Sequence, residues 1–167
     1  MRNKYFIITI CLTVSLLIYL FYRTEHTVVI QIFQFFVSEI AYFKIRESIV
    51  NALPLNHLIV YSLPEGLWVF CATLASKKLF LKIGSRKIDL IYMPLIYSVG
   101  LELLQLFDII KGRFDFWDIA CSIVFWALAA YFTKKEKTMQ NLFNPFNFNS
   151  VFCILIYSIV YLSHVCA

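Results

Sequence analysis

The chain has 167 residues, of which 61% are hydrophobic and only 15% charged, with a formal net charge of +5 and a mean hydropathy of +0.77. Soluble domains carry about a quarter charged residues, so this composition excludes an ordinary soluble domain, implies no nucleic-acid partner, and predicts an all-α, polytopic membrane helical bundle. At roughly 20 residues per helical crossing there is room for about five spans, within limits of four and six, in one domain over 1–167, and none for a separate soluble domain.

Tyr5 to Tyr22 is an uncharged run opened by Arg2 and Lys4, with no A-x-A cleavage pattern after it, and reads as a first span kept as an anchor. Thr27 to Phe43 is apolar but sets Gln31, Gln34 and Ser38 on one helical face beside Glu39. It fits a helix lying in the interface or folded back on the bundle at least as well as a span. Leu55 to Ser76 is the next span, interrupted by Pro64 and Gly66. Pro64 reads either as a kink or as a new helix start, because Ser62-Leu63-Pro64-Glu65 fits a capping box.

A basic loop with Lys77, Lys78, Lys82, Arg86 and Lys87 follows, then spans at Ile88 to Phe107, Phe116 to Phe132 and Ser150 to Cys166. Asp89 is placed favourably at a helix start, and NLFNPFNFN before the last span reads as an interfacial turn. The five cysteines are odd in number and show no C-x-x-C spacing. They support neither a disulfide framework nor a zinc site, and no metal or cofactor is implied.

Orientation follows from the cations. With five spans and an inside N-terminus, ten Lys and Arg residues face the cytoplasm (Arg2, Lys4, Lys77, Lys78, Lys82, Arg86, Lys87, Lys134, Lys135, Lys137) against five outside (Arg23, Lys44, Arg46, Lys111, Arg113). If Thr27 to Phe43 also crosses, only the N-terminus flips, and the count is nine against six. The expectation is a multi-pass protein of the cytoplasmic membrane with its N-terminus inside.

The stretch most suggestive of function is 98–118, SVGLELLQLFDIIKGRFDFWD. Ser98, Glu102 and Gln105 share one helical face, and an ionisable group within a membrane-length segment is costly enough to mark a specific role. Glu102 falls about five residues, hence roughly 8 Å, below the outer surface. A short loop with Arg113 and Asp115 then leads to Asp118.

The order H-x-x-x-Y (His57, Tyr61), then E-x-x-Q (Glu102, Gln105), then an arginine followed five residues later by an aspartate (Arg113, Asp118), all at helix ends around a short loop, resembles the VanZ-like family of bacterial membrane proteins. The resemblance covers roughly 50–130 and leaves 150–166 as an extra C-terminal span. Asp115 is an added acid. Leu53 and Ser122 stand where the family places an acid and an asparagine, and the glycines usual in the fourth span are absent, which describes a divergent member. The resemblance implies a cell-envelope setting and an accessory or resistance-type role more firmly than any chemistry.

Arg113 can fork onto a phosphate or carboxylate, and His57 can exchange a proton near neutral pH. With Tyr61, Glu102, Gln105, Asp115 and Asp118 they form a candidate site for membrane lipids or an amphiphilic envelope ligand with an anionic head group. The competing reading is structural: buried Glu, Gln and His side chains bond neighbouring helices, and Arg113 with Asp115 or Asp118 forms a loop ion pair and a helix cap. A membrane-embedded transferase or hydrolase needs a nucleophile, and Ser62 and Ser122 have no neighbouring base in the sequence; no catalytic residue is assigned. A small transporter or flippase needs polar residues through both membrane halves, and the inner halves are largely apolar.

Overall fold

The computed structural model describes residues 2–23, 28–110, 113–131 and 139–164. Thr27, Lys111, Phe132, Lys134, Lys135, Lys137 and Cys166, and the side chains of Arg2 and His164, lie outside the described residues, so readings that used them are carried by the sequence alone.

The fold is mostly helical, as the composition predicts: α1 (Arg2–Tyr22), α2 (Val28–Phe36), α3 (Glu39–Ala52), α4 (His57–Ser76), α5 (Met93–Leu106), α6 (Phe116–Tyr131) and α7 (Phe148–His164). Two stretches, 4–22 and 57–76, are long and apolar enough to cross a membrane, whereas 90–106, 116–131 and 148–161 are apolar but shorter. The centre of the molecule is α4. It packs against α1, α5, α6 and α7, and two thirds of its length is buried against one third of α1. Trp68, Val69, Cys71, Ala72, Leu74 and Ala75 of α4 meet Ile8 of α1, Ala129 of α6, and Cys153, Ile156 and Val160 of α7 in the main core.

The capping-box reading of Ser62 to Glu65 is overturned. Helix α4 runs through Pro64 from a cap at Asn56, whose side chain accepts from the Leu58 amide. Ser62 and Glu65 are therefore interior helical residues, both buried. Burial of this central helix on all sides supplies enough packing to keep it continuous despite the hydrogen bond that Pro64 cannot donate.

The 77–87 region is also not a plain loop. β1 (Leu79–Ile83) and β2 (Arg86–Asp89) pair antiparallel through Gly84-Ser85, and β3 (Gln140–Asn141) adds to the other edge of β1 in parallel. Gly84 has φ +59°, a backbone conformation that glycine alone adopts cheaply and that tight hairpins require. Ile88 and Asp89 consequently belong to β2, and Asp89 caps a short 3-10 turn by accepting from the Ile91 amide before α5 begins. The NLFNPFNFN segment supplies the end of β3 and the cap of α7, where Asn147 Oδ1 accepts from the amides of Asn149 and Ser150.

The ambiguous 27–43 stretch resolves into two helices. At nine residues α2 is only about 13 Å long, and the chain breaks at Val37 and Ser38 before α3. Helix α3 folds back on the end of α1: the Tyr42 hydroxyl donates to Leu20 O at 2.6 Å and Arg46 Nε to Phe21 O at 3.1 Å. The last carbonyls of a helix lack intrahelical donors and carry partial negative charge, which a guanidinium satisfies on both counts.

Helix α5 ends in a Schellman motif. The amides of Asp108 and Ile109 donate to Gln105 O and Leu104 O, with Asp108 at φ 54°. This turn, the Arg113–Asp115 segment, the start of α4 and the end of α1 gather at one end of the bundle. The sheet and the start of α1 occupy the other, where Tyr5 Oη donates to Asn149 Oδ1.

Candidate functional site

A polar seam runs between α4, α5 and α6. Glu65, 6% exposed, accepts from the Trp68 indole at 2.9 Å and from the Ser98 hydroxyl at 2.8 Å. Ser98 lies 2.7 Å from Ser122 Oγ. Since the Ser98 proton goes to Glu65, Ser122 donates to Ser98, and the chain of bonds ties one residue of each helix together. Gly66 makes this approach feasible: a Cβ there would stand 2.4 Å from Phe125 Cδ2 on α6.

One turn further toward the loop end, Glu102 is 5% exposed and accepts from the Asp115 amide at 3.0 Å, which fastens the connection onto α5. Asp115 in turn caps α6 by accepting from the Trp117 amide at 2.9 Å. Asp118, in the first turn of α6, lies beside the Ser62 hydroxyl and within electrostatic reach of Glu65, Asp115 and Arg23. Neither Asp118 Oδ1 nor Ser62 Oγ has a close hydrogen bond, although both atoms are buried, and Gln105 Oε1 is in the same condition.

Arg23, just past α1, supplies the inner cation. Its guanidinium lies 4.3 Å from the Tyr19 ring centroid and 5.5 Å from that of Tyr61, and Nη2 donates to Tyr61 O at 2.8 Å. Cation–π contact with two rings and a carbonyl bond fixes the group within electrostatic reach of Asp118.

The residues picked out in the sequence are thus distributed unevenly. Tyr61, Asp115, Asp118 and Glu102 line the same end of the bundle. His57 is exposed and lies tilted against Tyr61, with ring centroids 4.3 Å apart and planes 31° apart. Among the described residues no hydrogen bond joins His57, Glu102 and Gln105, and Arg113 is exposed and makes no ion pair. Arg23 and Glu65 were missed. The criterion that selected Glu102, an acid within a membrane-length apolar run, applies equally to Glu65 in 55–76; the capping-box pattern diverted it. Arg23 looked like one of several loop cations. Ser62 does have a neighbouring carboxylate, supplied by a helix fifty-odd residues away.

Chemically, the site offers four carboxyl groups, three serine hydroxyls and a held guanidinium toward one end of a helical bundle, with a second, exposed guanidinium at Arg113. A comparison with protein families, curated proteins and solved structures finds no match to this chain.

Proposed function

We propose that the protein is a VanZ-like integral membrane protein of the bacterial envelope that binds the head group of an anionic lipid or related amphiphile at its outer face. In this reading α1, α4, α5, α6 and α7 are the five crossings, α2 and α3 lie in the outer interface, and the sheet faces the cytoplasm. Exposed apolar side chains along the helices support it: Phe6 and Leu17 on α1, Ile96 and Leu103 on α5, Val124 on α6, Leu155 and Ile159 on α7. Exposed apolar surface on this scale is costly in water and expected against lipid. The shorter helices suit a locally thinned bilayer.

The buried Asp118 Oδ1 and the Ser62 hydroxyl beside it, neither of them closely bonded, carry the ligand reading. A buried polar atom left wholly without a partner costs about 1–3 kcal/mol; the Ser62–Asp118 contact relieves only part of that, so a donor from outside the chain fits there. A hydroxyl or ammonium group of a lipid head group fills that place, while its phosphate meets the exposed Arg113 guanidinium, whose planar fork matches it. Glu102, Gln105, Tyr61 and His57 complete the surroundings.

Lipid retained by the purified protein, identified by mass spectrometry, tests this. Arg113→Ala should lower retention of one anionic lipid at least about tenfold without changing the melting temperature of the delipidated protein, because Arg113 is exposed. Arg23→Ala should lower both, since Arg23 also holds Tyr61 and Tyr19. Unchanged retention in Arg113→Ala would remove the head-group reading and leave the seam as structural glue. Orientation has its own check: with the native cysteines replaced, a cysteine at the exposed Ile109 should react with an impermeant thiol reagent on intact cells and one at Arg86 should not. The reverse pattern places the site in the cytoplasm.

A further inference from the structure

Register makes the β1–β2 hairpin amphipathic. Leu79, Leu81 and Ile83 alternate onto one face of β1, and across from Leu81 and Ile83 on β2 stand Ile88 and Arg86. Burial falls steadily along that face toward the turn. Leu79 is fully buried, Leu81 packs on the main core as a half-buried residue, and Ile83 is 57% exposed. The apolar face therefore begins inside the bundle and overhangs it.

The overhang carries charge of one sign. Lys82, Arg86 and Lys87 are exposed, and residues 82–87 contain no acid. Lys82 and Lys87 sit opposite each other in the pair, a like-charge juxtaposition that destabilises an isolated hairpin. Lys87 extends back over the Phe80 ring, its Nζ 5.2 Å from the centroid. Asp89, the nearest acid along the sequence, is committed to the Ile91 amide at the base.

The turn end projects from the bundle with Ile83 and Arg86 on one face and Lys82 and Lys87 on the other, and an apolar tip flanked by cations on both faces fits one surface, an anionic bilayer lying beside the helices at that end. We propose that the β1–β2 hairpin docks on anionic phospholipid head groups, with Ile83 entering the head-group layer and Lys82, Arg86 and Lys87 meeting phosphates. Each basic side chain near such a surface strengthens binding about fivefold, and the phosphates relieve the Lys82–Lys87 repulsion. This inference rests on the membrane-bundle reading.

Hydrogen exchange of the 82–87 amides in the full chain tests it, in nanodiscs of phosphatidylcholine alone and of phosphatidylcholine with phosphatidylglycerol. Exchange should be at least about fivefold slower with phosphatidylglycerol, and high salt should reverse the effect. Combined Lys82→Gln, Arg86→Gln and Lys87→Gln should erase the lipid difference, as should the single change Ile83→Asp in part. Equal exchange in the two lipids, with the protein incorporated, overturns the hairpin inference alone. A chain that stays in the aqueous phase without detergent overturns the bundle reading, and this inference with it.

Discussion

Ser98→Val should lower the unfolding free energy by about 2–4 kcal/mol, from two effects acting in the same direction. The substitution deletes the donor to Glu65 Oε1 and the acceptor for Ser122 Oγ, removing two hydrogen bonds at a place where Ser98 and Ser122 are fully buried. It also adds a methyl group where three helices meet. Ser98→Ala removes the bonds without the added bulk and should cost less, about 1–2 kcal/mol. The coupling is separable by a double-mutant cycle: in a Glu65→Leu background the Ser98→Ala cost should shrink, because the Ser98–Glu65 bond is already absent there. Thermal unfolding in detergent, followed by far-UV circular dichroism, supplies the four values. Additive costs would mean that the Glu65–Ser98 bond is not made.

The second large effect is expected at Gly66. Gly66→Val should cost about 3 kcal/mol or more, because its Cβ falls 2.4 Å from Phe125 Cδ2 and 3.0 Å from Cγ, near the root of a ring that cannot swing far. Gly66→Ala meets the same clash with less bulk and regains about 1 kcal/mol of helix propensity, so its net cost should be smaller. Phe125→Leu opens the space and should rescue Gly66→Ala more than it rescues the wild type. Failure of that rescue would show that α4 and α6 do not approach at Gly66. The two predictions concern different bonds of the same junction: Ser98→Val breaks its polar tie, whereas Gly66→Val prevents its close approach.

What was readable in the sequence followed from local chemistry. Glu102 declared itself because an acid in an apolar helix has no cheap surroundings, and the structure buries it and gives it the Asp115 amide. The cap at Asp115 and that at Asp89 are local too, each reaching only two residues along the chain. The hairpin was also legible: LFLKI-GS-RKID has the two-residue Gly-Ser turn between short strand-like runs. Its lysines drew the reading toward a charged loop. At Ser62 to Glu65 a genuine local pattern was the wrong guide, since a capping box is favourable only where a helix begins, and α4 begins at His57.

The sequence by itself determined that this chain is mostly helical and apolar, roughly where most of its helices lie, and which acid in α5 is unusual, because composition, periodicity and capping are properties of neighbours along the chain. Only the tertiary structure decided that Glu65 bonds Ser98, that Arg23 stands over Tyr61 within electrostatic reach of Asp118, that α3 caps α1, and that Gly66 admits Phe125. Those contacts join residues about 20 to 95 positions apart, and a helix face has no preferred partner until the packing of every other helix around α4 fixes which residues it meets.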